Sequence, residues 1–258
     1  MKLIRCRYHE RIFWAEEGER EALVLTAAPY LGGELTGERV PLEEVALLAP
    51  CEASKIVAVG KNYLEHIQEM RQDFGDAAPE KPVLFLKPST CISGPGDKIT
   101  YPAFSKRVDY EGELAAVVGK RMSQVSEDEA LEGIFGYTIC NDVTARDIQK
   151  SEGQWTRGKA VDGFAPVGPR VVTGLDPAGL EIFTRLNGEM RQHGHTSQFI
   201  TSLPKLLAFI TEAMTLLPGD LVITGTPAGV GPMVPGDVVE VEIPGIGVLE
   251  NQIVKGED

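Results

Sequence analysis

The chain has 258 residues, a formal net charge of −13 and a pI near 4.9. That acidity argues against nucleic-acid binding, which needs a basic surface, and against an anionic membrane. It leaves room for an anionic small-molecule substrate, because a cation or a local Lys/Arg cluster inverts the sign inside a cleft. The length fits one large domain or two unequal ones, with a substantial core. Cys6, Cys51, Cys91 and Cys140 are scattered without a C-x-x-C pair, so neither a disulfide framework nor a zinc knuckle is expected. Met1 to Tyr8 carries no apolar signal region, and no run approaches the roughly 20 residues of a membrane helix. A soluble cytoplasmic protein with reduced thiols is the expectation.

Residues 1–50 read as a small β-rich domain. Leu3 to Tyr8 and Arg11 to Ala15 predict a hairpin, Ala22 to Leu25 a third short strand, and Gly32-Gly33 a break. Pro41 to Pro50 reads as a linker, and a main domain follows over 51–258. Its first strand is the apolar run Lys55 to Gly60. His66 and Glu69 lie three apart and are neighbours on a helical turn. A carboxylate there fixes the imidazole tautomer, as a general base needs, although an ordinary surface pair has the same spacing.

Asp109 to Gly119 reads as one strand. Side chains alternate along a strand, so Glu111 and Glu113 share a face that continues through Ala115 and Val117. Two carboxylates side by side repel unless water or a cation separates them, so either a solvated strand end or a hard-cation site, Mg²⁺ or Mn²⁺ before Zn²⁺, fits. Ser126 to Glu129 has the capping-box spacing of a short helix. Gly136 to Cys140 is a further strand, and Asp142 just past its end can supply a third carboxylate or a helix cap. Arg146 and Gln149 lie one helical turn apart, and an arginine there suits a carboxylate substrate or simply the surface. His193 and His195 lack an obvious third ligand, so a second metal site is not expected.

Leu203 to Leu217 predicts the clearest helix, with Pro204 in its first turn and Leu206, Leu207, Ile210 and Met214 on one core-facing stripe. Pro-Gly-Asp occurs at 95–97, 218–220 and 235–237, each time entering an apolar run, which predicts three type II turns. Leu221 to Thr224 and Val238 to Ile243 are strands, and Glu240 and Glu242 of the latter should face water. Many short strands, few helices and abundant Gly and Pro give an α+β, mainly β fold class.

Taken together, several motifs resemble the fumarylacetoacetate hydrolase family over about residues 54–254. They are Val59-Gly60-Lys61-Asn62-Tyr63 with His66 and Glu69, Pro82 to Pro88, Asp109 to Leu114, Asn141 to Asp147, Lys159 to Pro169, and Thr224 to Gly231. The resemblance implies a mixed β-sheet roll, usually a homodimer. It implies that Glu111, Glu113 and Asp142 hold one divalent ion, and that His66 and Glu69 sit on a segment that closes over the substrate. Arg71 to Glu80 is then the expected lid. It brings Lys159 into the cleft, with Arg146, Gln149 and Thr226 expected to bind the substrate. Relatives often carry Ser-Phe after this lysine, where Ala160 and Val161 stand here.

The expected substrate is a small 2-oxo or 2-hydroxy-dienoic acid, acting through an enolate stabilised by Mg²⁺. The Asp162 to Pro169 version looks closest to bacterial members of aromatic catabolism that isomerise 2-hydroxyhepta-2,4-diene-1,7-dioate and decarboxylate its tricarboxylate precursor. Acylpyruvate hydrolysis and oxaloacetate decarboxylation are the alternatives, because one set of ligands supports all of these reactions. A cation-stabilised structural β-protein is the non-enzymatic reading.

Overall fold

The computed structural model describes residues 1–75 and 77–256. Its main sheet has twelve strands. In order they run Leu35–Pro41, Glu21–Leu25, Arg11–Glu17, Lys2–Tyr8, Ala165–Val172, Ile134–Asn141, Gly112–Val118, Leu221–Ile223, Lys55–Gly60 and Val83–Pro88. Ala46–Leu48 and Ile92–Ser93 pair off this path. Most pairings are antiparallel, while Leu221–Ile223 runs parallel to Lys55–Gly60, so the sheet is mixed.

A second sheet of five strands orders Glu189–His195, Glu181–Leu186, Val238–Ile243, Gly247–Lys255 and Lys98–Tyr101. Val238–Ile243 alternates as its sequence predicts, with Val239, Val241 and Ile243 buried and Glu240 and Glu242 half-exposed. Between the sheets, Leu114, Ala116 and Val118 meet Ile182, Val241 and Leu249. Leu203, Leu206, Leu207 and Ile210 of the helix Leu203–Ala213 close that core. The helix is shorter than predicted. Met214 is already extended, and Leu216 forms a two-way backbone bridge with Met122, which takes the chain off the helical path.

The opposite face of Gly112–Val118 is buried too: Ala115 and Val117 pack with Ile56, Ile223, Val171 and Trp14. Trp14 comes from the N-terminal segment, so the first 50 residues are joined to the main sheet. Lys2–Tyr8 pairs with Ala165–Val172 through Lys2 with Val172 and Leu3 with Val171. The segment expected as a linker is also structured. Ala46–Leu48 pairs with Arg5 to Arg7, because its apolar side chains complete the small cluster around Ile4, Cys6 and Phe13.

All three Pro-Gly-Asp segments are turns entering strands, with Gly96, Gly219 and Gly236 at positive φ. The aspartates add a detail. Asp97, Asp220 and Asp237 each accept the backbone N–H of the residue before the proline, at 2.6, 2.9 and 2.7 Å respectively. Asp220 is fully buried and also accepts from the Ser54 hydroxyl (2.7 Å), the Ser54 N–H (3.0 Å) and the Lys55 side chain. It thereby ties together the starts of two parallel central strands, Leu221–Ile223 and Lys55–Gly60. Asp220→Asn should cost about 3 kcal/mol in denaturant unfolding, since one amide oxygen replaces an anion serving several donors. The same change at exposed Asp97 should cost less than about 1 kcal/mol. Equal losses at the two positions would contradict this.

Candidate active site

The run 109–119, predicted as one strand, is two. Val108–Tyr110 belongs to a small third sheet with Thr144–Ala145 and Gly231–Met233, and Gly112–Val118 to the main sheet. Glu111 is the residue at the crossing. Its N–H is taken by the Asn141 side-chain oxygen (2.9 Å) and its C=O by the Asp142 N–H (2.8 Å), so no ladder pairing is available to keep the strand continuous. This crossing brings Glu111, Glu113 and Asp142 together. Each offers a carboxylate oxygen within 4.8 Å of the others, and all three are buried. Among the described residues it is the only cluster of three or more potential ligands.

Buried cations hold the cluster. Lys159, at the end of the short helix Thr156–Lys159, places Nζ 2.7 Å from Glu111 and 2.7 Å from Asp142. Lys87 reaches the other Asp142 oxygen at 2.6 Å. Arg146 opens the helix Arg146–Ser151 and pairs with Glu111, with Asp109 (2.9 Å) and with the Gln149 side-chain oxygen (2.6 Å). Arg107 pairs with Asp109 in turn, at 2.8 Å.

These contacts divide the carboxylates. Burial alone would raise Glu111, but Lys159 and Arg146 outweigh it and hold its pKa well below the usual range. Burial pushes Glu113 well above that range, and the neighbouring Asp142 and Glu111 add to the push. The Gly225 N–H donates to Glu113 at 2.7 Å, in place of the cation its neighbours enjoy. Burial would depress the Lys159 ammonium, yet Asp142 and Glu111 keep its pKa raised. The donor set is all oxygen and suits a hard divalent cation, and Glu113 is the anion such a cation would satisfy.

Glu111 and Glu113 of the cluster line a cavity that Arg146, Gln149 and Thr226 also border. His66 lines it from the helix Leu64–Glu69. His66 Nδ1 lies 3.2 Å from Glu69, and Glu69 is itself held by the Gly229 N–H at 3.0 Å. Gly229 is at φ +100, and a Cβ there would fall 2.0 Å from the Arg191 carbonyl, so this anchor requires glycine. Part of the expected lid is helical, Arg71–Phe74, and Asp73 pairs with Lys150 at 2.7 Å; the expected lid also includes Asp76, which lies outside the described residues.

Every residue singled out from the sequence therefore borders the cavity, apart from Asp142, which joins through the carboxylate cluster, and Glu69, which stands behind His66. Two of the substrate-binding expectations meet groups already engaged. All three Arg146 side-chain nitrogens contact protein acceptors. The Thr226 hydroxyl donates to the Gly112 carbonyl (3.0 Å) and accepts from Gln192 (2.8 Å).

Lys87, Asp109 and Gln192 were not singled out. Lys87 had a legible signal: it alternates with Phe85 on the strand Val83–Pro88, so both side chains leave one face. Asp109 and Gln192 act through Arg146 and Thr226, which are distant in sequence, and no local pattern marks such support.

Glu113 gives a test of the electrostatics. Its folded pKa is raised, so the metal-free fold is favoured while Glu113 is protonated and loses that advantage as pH rises through the folded pKa. In metal-free protein, Glu113→Gln should therefore raise Tm, and the gain over wild type should widen as pH increases. A Tm difference that does not vary with pH would show that Glu113 is ionised at no cost.

A model described as the C-terminal domain of fumarylacetoacetate (FAA) hydrolase matches residues 55–254, and one described as Rv2993c-like, N-terminal, matches residues 1–50. Protein Rv2993c of Mycobacterium tuberculosis is 49% identical over 243 residues, covering 93% of this chain and 90% of that protein. The oxaloacetate tautomerase YisK of Bacillus subtilis is 40% identical over 233 residues, covering 85% of this chain and 77% of its own. The crystal structure of a 2-hydroxyhepta-2,4-diene-1,7-dioate isomerase from Mycobacterium marinum superposes with a TM-score of 0.91 at 46% identity over the whole of both chains. With the matched model spanning most of its length and the carboxylate cluster inside that span, the chain belongs to the fumarylacetoacetate hydrolase family.

Proposed function

We propose that the chain is a divalent-cation-dependent enzyme that moves protons between a 2-oxo acid and its enol. Its leading reaction is isomerisation of 2-hydroxyhepta-2,4-diene-1,7-dioate, with decarboxylation of the tricarboxylate precursor, in aromatic catabolism. The observation that supports this most is one cavity shared by the buried carboxylates, Lys159 and the His66–Glu69 pair. The division into 1–50 and 51–258 belongs to the same proposal, since all the acting residues lie in the second part, as do the family's usual cytoplasmic location and homodimeric state.

Glu111, Glu113 and Asp142 would hold Mg²⁺ or Mn²⁺, which would supply Lewis-acid polarisation to a chelating 2-oxo acid. The chain's own residues do the rest. Glu69, fixed by Gly229, accepts a hydrogen bond from the Nδ1–H of His66 and leaves Nε2 as the basic nitrogen. His66 Nε2 then carries to the chain carbon the proton that the 2-hydroxyl gives up, and the reverse when a 2-oxo acid is enolised. The Lys159 ammonium balances the charge that grows on the enolate oxygen. Lys87 and Arg146 keep Asp142 and Glu111 aimed, and Gln149 and Thr226 border the bound acid. Closure of the segment that carries His66 and Glu69 would exclude water.

The name of the Bacillus subtilis relative favours a second reading, oxaloacetate tautomerisation, which is the same proton shift on a shorter acid. Acylpyruvate hydrolysis and oxaloacetate decarboxylation need the same enolate. A purely structural cation site would need neither His66 nor Lys159 at the cavity.

EDTA should abolish turnover and Mg²⁺ or Mn²⁺ should restore it; full activity in protein shown metal-free by elemental analysis would overturn the proposal. His66→Ala should slow carbon protonation and any C–C hydrolysis by roughly 10²–10⁴-fold. Decarboxylation needs no base and should fall less. Equal losses in all reactions would make His66 a binding or closure residue instead.

A further inference from the structure

Part of the cavity wall is not used by the chemistry above. Val59, Ile67, Met70, Phe85 and Trp155 form it and are apolar. Trp155 and Phe85 meet edge to face, with ring centroids 5.5 Å apart at 68°. Trp155 also lies directly on Gly60. A Cβ at Gly60 would sit 2.5 Å from Trp155 Cζ3 and 2.8 Å from Cη2. Gly60 does not adopt positive φ, so its backbone would tolerate another residue; the indole is what requires glycine there.

The distance of this wall from the carboxylates follows from strand geometry. Phe85 and Lys87 leave the same face of one strand, and two residues advance about 7 Å. Lys87 contacts Asp142 of the carboxylate cluster, and the Lys159 ammonium lies 5.1 Å from the Phe85 ring centroid. The Phe85 ring therefore stands beside the ammonium that touches Glu111 and Asp142, and the Trp155 ring centroid is 5.5 Å from that of Phe85. A four-carbon acid held at the cluster by its 2-oxo and carboxylate groups has two carbons left to meet these rings. A seven-carbon dienoic acid has five, enough to lay a flat stem along both.

We propose that Trp155, seated on Gly60 and backed by Phe85, is the specificity-determining residue of the site, selecting 2-oxo and 2-hydroxydienoic acids with a flat apolar stem of several carbons over compact four-carbon acids. The inference rests on the proposed function and narrows its substrate class. Stacking of a conjugated stem on the indole, and burial of its carbons, supply the preference.

The test compares kcat/KM for 2-hydroxyhepta-2,4-diene-1,7-dioate and for oxaloacetate, both with Mg²⁺. Trp155→Ala should lower the long-to-short ratio roughly tenfold or more, the scale of losing a methylene or more of pocket contact. Gly60→Ala, which pushes the indole off its seat, should shift the ratio the same way, and Trp155→Phe should restore most of it. A ratio unchanged in Trp155→Ala, or restored by no aromatic residue, overturns the inference. Wild type that turns over neither acid would overturn the proposed function instead.

A binding measurement separates the two further. Trp14→Phe leaves Trp155 as the sole tryptophan of the chain's two. With Mg²⁺ present, 2-oxohept-3-ene-1,7-dioate, the flat product of the isomerisation, should change its emission strongly and oxalate weakly. Equal responses to the two ligands would overturn the inference whatever the enzyme's turnover.

Discussion

The site depends on how buried negative charge is compensated. Asp109, Glu111, Glu113 and Asp142 are all withdrawn from water, and an isolated carboxylate in such surroundings would take up a proton. Arg146, Lys159 and Lys87, equally buried, answer three of the four. Glu113 is left with a backbone N–H. The protein therefore carries one under-compensated carboxyl group, with its pKa raised, among well-compensated carboxylates. A pair such as Lys159–Glu111 adds little net stability over a packed apolar pair. Its retention makes sense as a means of fixing where each oxygen points.

The fold exists to bring these charges to one place. The chain passes from the small sheet to the main sheet at Glu111, and the neighbouring strand Ile134–Asn141 ends at the same level and delivers Asp142. Irregular backbone at this crossing is stabilised by side-chain amides: Asn141 takes the Glu111 N–H, and Gln192 takes the Gly112 N–H at 3.0 Å. Two buried amides thus stand in for ladder bonds that a continuous strand would have made, and they release the Glu111 side chain toward the cavity.

Much of this was readable in the sequence because it is local. Alternation along the strands, the three Pro-Gly-Asp turns and the stripe Leu206, Leu207, Ile210 all depend on neighbours a few residues away. The association of Glu111, Glu113 and Asp142 came from the family motifs, since spacing alone also fits solvated glutamates. Glu240 and Glu242, with the same spacing, are half-exposed on the other sheet. What stayed hidden was long-range. The strand break at Glu111 is set by Asn141, thirty residues on. The early end of the helix at Ala213 is set by Met122, and the place of Ala46–Leu48 by Arg5 to Arg7. None of these partners leaves a mark in the segment it governs.

The continuity of the first 50 residues with the main sheet has a consequence for modularity. Leu3, Trp14 and Leu25 cover the same apolar face as Ile56, Ala115 and Val171. Lys2 and Leu3 occupy the hydrogen-bonding edge beside Val171 and Val172. A chain trimmed to the segment that the larger family model matches would uncover that face and that edge together. An apolar strand with an open edge is a template for pairing with another copy. The N-terminal segment carries none of the residues of the carboxylate cluster, yet it covers an apolar face and a strand edge of the sheet that holds them.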